Sequence, residues 1–200
     1  MLSARESLRA PSRTTLETRR VGCFNHRMPD QQMKNAYDRV EKHIEDRYGI
    51  PVMISDVISP NTGDFNGVEI KLDYDQELDS AFFVLVHLFG HTVQWNISAE
   101  YRRLGYNVEP GRSEEELRLI YDYEKDASRI SLSLMHECGI TDLDQWLSDW
   151  WAADWRYLQH FYRTSERLNF RSLITPGAEL LTPLPIPPFR PHKWVSRWAF

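Results

Sequence analysis

The stretch from Ala81 to Trp95 constrains this chain more than any other. It reads Ala-Phe-Phe-Val-Leu-Val-His-Leu-Phe-Gly-His-Thr-Val-Gln-Trp and is apolar on nearly every side at helical spacing. It is too short to span a bilayer, so it belongs at the centre of a fold, with other elements covering it all round. His87, Gly90, His91 and Gln94 interrupt it.

The flanking segments supply the cover. A helix is expected from Asp30, as N-cap, to Tyr48, with Gly49 as its stop and Val40, His43, Ile44 and Tyr48 as its inward stripe. Pro51 to Ile54 is β-prone, Pro60-Asn61-Thr62-Gly63 is turn chemistry, and Val68, Ile70 and Leu72 alternate with Glu69 and Lys71 as a half-buried strand. Asp75 is expected to cap the apolar helix, with residues 98 to 112 as a polar connection. Ser113-Glu114-Glu115-Glu116 is a capping box that opens another helix, on which Leu117, Ile120, Glu124, Ala127 and Ser131 share one face. Thr141 is expected to cap a last helix, rich in tryptophan, running to about Leu168. From Pro176 the chain is proline-rich and should be extended, without a core of its own.

Two histidines four apart on a helix point to one side, one turn apart, as two ligands on one metal require. Zinc suits neutral imidazoles. The plainer reading is a pair of core histidines bonded to backbone carbonyls, because an unpaired buried polar group costs about 1–3 kcal/mol. A third ligand is best supplied by Glu124, a carboxylate on an otherwise apolar or small-residue face, with Asp126 as the alternative. Gln94, one turn beyond His91, is placed to hydrogen-bond a ligand. Tyr121 and Tyr123 flank Glu124, where they either stabilise an oxyanion or pack in the core.

The order of these pieces resembles a known family. A helix, Gly49-Ile50-Pro51-Val52, a turn, the strand Val68 to Leu72, the helix bearing His87-Leu88-Phe89-Gly90-His91 and then Glu124-Lys125-Asp126-Ala127 together look like the ImmA/IrrE group of gluzincin metallopeptidases, over roughly residues 31 to 136. The resemblance implies an α+β, zincin-like fold: a small antiparallel sheet packed on an active-site helix and a second ligand-bearing helix; the C-terminal Trp-rich helix lies outside the resemblance and is expected as an addition to it. It implies His87, His91 and Glu124 as ligands of one zinc ion, with Gly90 as the small residue before the second histidine. It also exposes a departure. Leu88 occupies the position of the family's proton-accepting glutamate, and loss of such a base removes about 10²–10⁴-fold from catalysis. The expectation is therefore a zinc-binding, metallopeptidase-like protein with a regulatory or binding role. The alternatives are an active peptidase with a relocated carboxylate (Glu100, Glu109 or Asp126) and a metal-free interaction module.

Composition narrows the rest. The net charge of −5 argues against nucleic acid as partner, and no apolar run is long enough for a membrane span. Cys23 and Cys138 are too few for a disulfide framework and read as reduced thiols of a cytoplasmic protein. Residues 1–28, with Arg5, Arg9, Arg13, Arg19 and Arg20, read as a flexible basic arm, Glu6 and Glu17 arguing against a transit peptide. Residues 29–170 read as the zincin-like domain and 171–200 as an extended Pro-rich tail. A protein or peptide partner is expected. Trp146, Trp150, Ala153 and Tyr157 form a core-facing stripe, while Trp151, Trp155, Leu158 and Tyr162 form a second one that, if exposed, would bind a partner or a second copy of the chain.

Overall fold

The computed structural model describes residues 30–57, 61–106 and 109–195. The basic arm, Cys23, Pro60, Trp198 and Phe200 lie outside the described residues. The fold is α+β: five α-helices, among the described residues, around a three-stranded sheet.

The first helix, α1 (Asp30–His43), buries Met33, Ala36, Tyr37 and Val40. It widens into a π-helical turn, Ile44–Tyr48, and ends at Gly49, whose φ of 66° is open to glycine at little cost. The strands follow: β1 (Val52–Ser55), β2 (Gly63–Phe65) and β3 (Ile70–Asp73), in the order β1-β3-β2. On β3, Ile70 and Leu72 are buried and Lys71 and Asp73 are half-buried, as alternation demands. The sheet is mixed, not antiparallel as expected. The chain reverses at β2, so β3 returns in the direction of β1 and pairs with it in parallel (Val52 opposite Ile70), while β2 pairs antiparallel (Phe65 opposite Ile70).

The apolar stretch is the middle of α2 (Leu78–Ile97), and twelve of its residues are buried. It lies against α1, β2, β3, α3 and α4. Asp75 does not cap it. The helix starts at Leu78 with Glu77 at the N-cap position, and the Asp75 amide instead donates to Asp73 Oδ1 (3.0 Å). Arg171, from a 3-10 turn (Phe170–Leu173) far along the chain, pairs with Glu77 and Asp79 in the first turn. That tertiary partner is invisible to a local reading of caps.

The connection expected after α2 contains a helix, α3 (Ala99–Tyr106), because Ser98 Oγ accepts the Tyr101 amide and Tyr101 and Tyr106 pack on Tyr123 and Trp95. Helix α4 (Glu114–Glu137) opens with both halves of the capping box formed at Ser113 and Glu116. Helix α5 (Asp144–Thr164) starts two residues later than a Thr141 cap predicts, with Leu143 at the N-cap position; Leu143 is buried there, and His136 reaches Asp144 at 2.8 Å. Beyond it the chain runs extended across α4. Leu181 is buried, Leu184 shares backbone and side-chain bonds with Arg129 and Ser133, and the Trp194 amide donates to Asn66 O. The tail therefore has no core of its own but covers the main one.

Both aromatic stripes of α5 are packed. Trp150 and Ala153 face the core, and Trp151 and Trp155 stack around Tyr121 of α4, with Tyr162 beside Leu117 and Ile120. In the second stripe Trp151 and Tyr162 are thus buried, while Trp155 and Leu158 stay half-buried.

Candidate metal centre

The site is built where α2 crosses α4. Gly90 makes that crossing possible: a Cβ there would stand 2.3 Å from Ala127 O, so the two backbones touch. Ser131 Oγ donates to Val86 O at 2.7 Å and binds the helices together one turn away. At this separation the shared face of α4 brings Glu124 against both α2 histidines.

Three atoms converge. His87 Nε2 and His91 Nε2 stand 2.9 Å apart, and each lies about one hydrogen-bond length from Glu124 Oε2, at 3.1 and 3.0 Å. All three side chains are mostly or wholly buried. The rings are held from outside. Phe83 stacks on His87, and His91 has stacked partners in Tyr123 and Phe65.

The partners of the remote nitrogens determine what the near ones offer. Gln94 Nε2 donates to Tyr123 O (2.7 Å), which turns Gln94 Oε1 toward His91 Nδ1 at 2.9 Å. That nitrogen must carry a proton, so in a neutral ring Nε2 is a bare lone pair. His87 Nδ1 lies 3.4 Å from Ser128 Oγ and can donate there likewise. Two lone pairs and a carboxylate oxygen then point at one another, which is repulsive unless a metal ion lies among them or the rings take protons on Nε2 and donate to Glu124. The donor set, two imidazoles and one carboxylate, is one that zinc accepts, so the residues present fit a metal ion. In its absence burial pushes the Glu124 carboxyl up, but the charge and hydrogen bonds of His91 and His87 outweigh this and hold it well below the usual carboxylate range.

A fourth acid stands beside them. Asp154, on α5, has Oδ2 4.0 Å from His87 Nε2, and its side chain is only 16 % exposed. Burial pushes its carboxyl up to about 7, His87 opposing and Glu124 adding to the rise. A cleft of about 400 Å³ opens over the four residues, with Leu88, Tyr157 and Arg167 also on its walls. Sequence reasoning missed Asp154, although the signal that found Glu124 was there. Asp154 shares a helical face with Trp150, Tyr157, Leu158 and Phe161, so it too is a carboxylate on an apolar face.

The chain matches no family model, no curated protein and no solved structure.

Leu88 is buried and its Cδ1 lies close against Gly63 of β2, so an apolar side chain lines the cleft beside the histidines. Gln94 touches His91, as its spacing suggested. Asp126 does not reach the cluster; it pairs with Arg129 at 2.9 Å. Tyr121 packs on Trp155 and Trp151, and Tyr123 accepts a hydrogen bond from Trp95 Nε1 (3.0 Å), so neither tyrosine lines the cleft. Glu100 lies near Arg103 on exposed α3, and Glu109 is exposed beyond that helix; neither lines the cleft. Among the described residues, the acids on the cleft wall are Glu124 and Asp154. No helix among the described residues is long and apolar enough to cross a membrane.

Proposed function

We propose that this chain is a zinc-binding protein of zincin-like build, related in design to the ImmA/IrrE metallopeptidases, that has exchanged peptide hydrolysis for a binding or regulatory role. The observation that carries this reading is the convergence of the two histidine Nε2 atoms and the Glu124 carboxylate on one point, with the apolar Leu88 on the cleft wall beside them.

When bound, zinc supplies Lewis acidity and a fixed positive charge at the cleft floor. The residues of the chain do the rest. His87 and His91 bind through Nε2. Gln94 orients His91, and Ser128 orients His87. Leu88 accepts no proton and keeps its side of the floor apolar, so no water is activated from that side. The ligand of the cleft is proposed to be a protein or peptide segment, and the compartment the cytoplasm, in keeping with the reduced-thiol reading of the cysteines.

Elemental analysis of the purified chain tests the centre, alongside a His87→Ala, His91→Ala double variant. About one zinc per chain, lost in the double variant, is expected. No metal in the parent chain, even after zinc is supplied, would return both histidines to the role of core residues.

A further inference from the structure

We propose that Asp154 is the fourth protein ligand of the centre, closing it as a two-histidine, two-carboxylate site with no position left open. This rests on the metal-centre reading above and extends it to an element outside the resemblance, the Trp-rich helix α5.

Geometry comes first. Donor atoms held about 2.0–2.2 Å from a tetrahedral ion lie roughly 3.3–3.6 Å apart. The three converging donors stand at 2.9–3.1 Å, a little inside that range, and Asp154 Oδ2 stands at 4.0 Å from His87 Nε2, a little outside it. Asp154 lies outside the tight group of three, so its carboxylate must swing inward as the three spread if it is to join them on one ion.

Charge comes second. Asp154 is mostly buried and accepts no hydrogen bond from the described residues; the ring of His87, 4.0 Å away, faces it. A carboxylate so placed is costly unless it is paired or coordinates a metal. Ionised together beside neutral imidazoles, Glu124 and Asp154 would carry two negative charges, which a divalent cation cancels.

Third, a closed site accounts for Leu88. Catalytic zinc sites keep one position for water or substrate, whereas sites that hold structure fill all four. If Asp154 takes the fourth position, no water needs a base, and leucine beside His87 costs the protein nothing. The competing role for Asp154 is that of a displaced base facing an open position.

The two roles separate in the metal-loaded chain without any activity assay. Zinc affinity is measured by competition with a chromophoric chelator for the parent chain, Asp154→Ala and Asp154→Asn, with melting of each zinc-free protein as a control for folding. Cobalt(II)-substituted samples are then titrated with acetohydroxamate and followed in the visible spectrum. A ligand role predicts an affinity loss beyond the roughly 10–100-fold typical of residues that only support a ligand. It also predicts a parent cobalt spectrum that does not respond to hydroxamate and an Asp154→Ala spectrum that does. Asparagine should restore the fold of the zinc-free protein but not the affinity. Equal zinc affinity in all three chains, or a parent spectrum that shifts with hydroxamate, overturns the assignment of Asp154 and leaves the three-residue centre standing. Failure of the parent chain to bind zinc at all overturns the centre itself, and this assignment with it.

Discussion

Glu124 is held ionised against its own burial. A carboxylate this deep would ordinarily be pushed up, yet the two imidazoles keep it well below its usual range, so it presents a charged oxygen at neutral pH without rearrangement. Cys138 shows the opposite outcome at the same scale. Half-buried at the end of α4, its thiol is pushed up to about 11, by burial first and by Glu137 second, with Arg39 opposing. A raised thiol pKa leaves less thiolate at any pH below it. At pH 8 alkylation by iodoacetamide should run roughly 100-fold slower than for an unperturbed cysteine, and should speed up about tenfold per pH unit until near pH 11. Peptide mapping of the modified chain reads the rate at Cys138 directly; fast labelling at pH 8 in the folded protein would contradict it.

At the scale of elements, the crossing of α2 and α4 decides whether the ligands meet. Gly90 has no conformational demand on its φ; its importance is the absence of a side chain where Ala127 passes. Gly90→Ala must push the helices apart, at a cost of about 1–3 kcal/mol by analogy with overpacked cores. Because His87, His91 and Glu124 straddle that crossing, the same change should weaken zinc binding. Thermal melting and chelator competition, run on the same sample, check both effects. A stable Gly90→Ala protein with undiminished zinc affinity would show that the crossing has slack. Gly63 makes a parallel case on the other side of α2, where Leu88 and Val84 fill the space above β2.

At the scale of the whole molecule, segments distant in sequence cover one another. The extended stretch after the 3-10 turn contributes Leu181 to the core and places Ile186 and Phe189 against it, Phe189 stacking on Tyr48. Leu181→Ala should therefore cost about 2–5 kcal/mol, as for a core leucine and not for a residue of a loose tail. Denaturant titration measures it, and a loss under about 0.5 kcal/mol would mean the strap is dispensable. The same strap donates the Leu181 amide to Ser148 Oγ of α5, so it also fixes the helix that carries Asp154.

Much of this was legible in the residues. The buried character of α2 follows from its all-round apolarity, the start of α4 from its capping box, and the meeting of His87, His91 and Glu124 from helical spacing together with one acid on an apolar face. These are local patterns, and local chemistry enforces them. What the sequence left open depends on contacts across long separations. The parallel pairing of β1 with β3 needs β2 to reverse the chain between them. The start of α2 depends on Arg171, almost a hundred residues away, and the burial of Trp151 and Tyr162 in the second stripe depends on α4. Asp154 belongs in this group too. Its apolar face was readable, but a helix pattern gives the direction of a side chain only within its own element, and what lies opposite is chosen by how the helices pack. Only the packing of α5 against α2 and α4 turns that carboxylate toward His87.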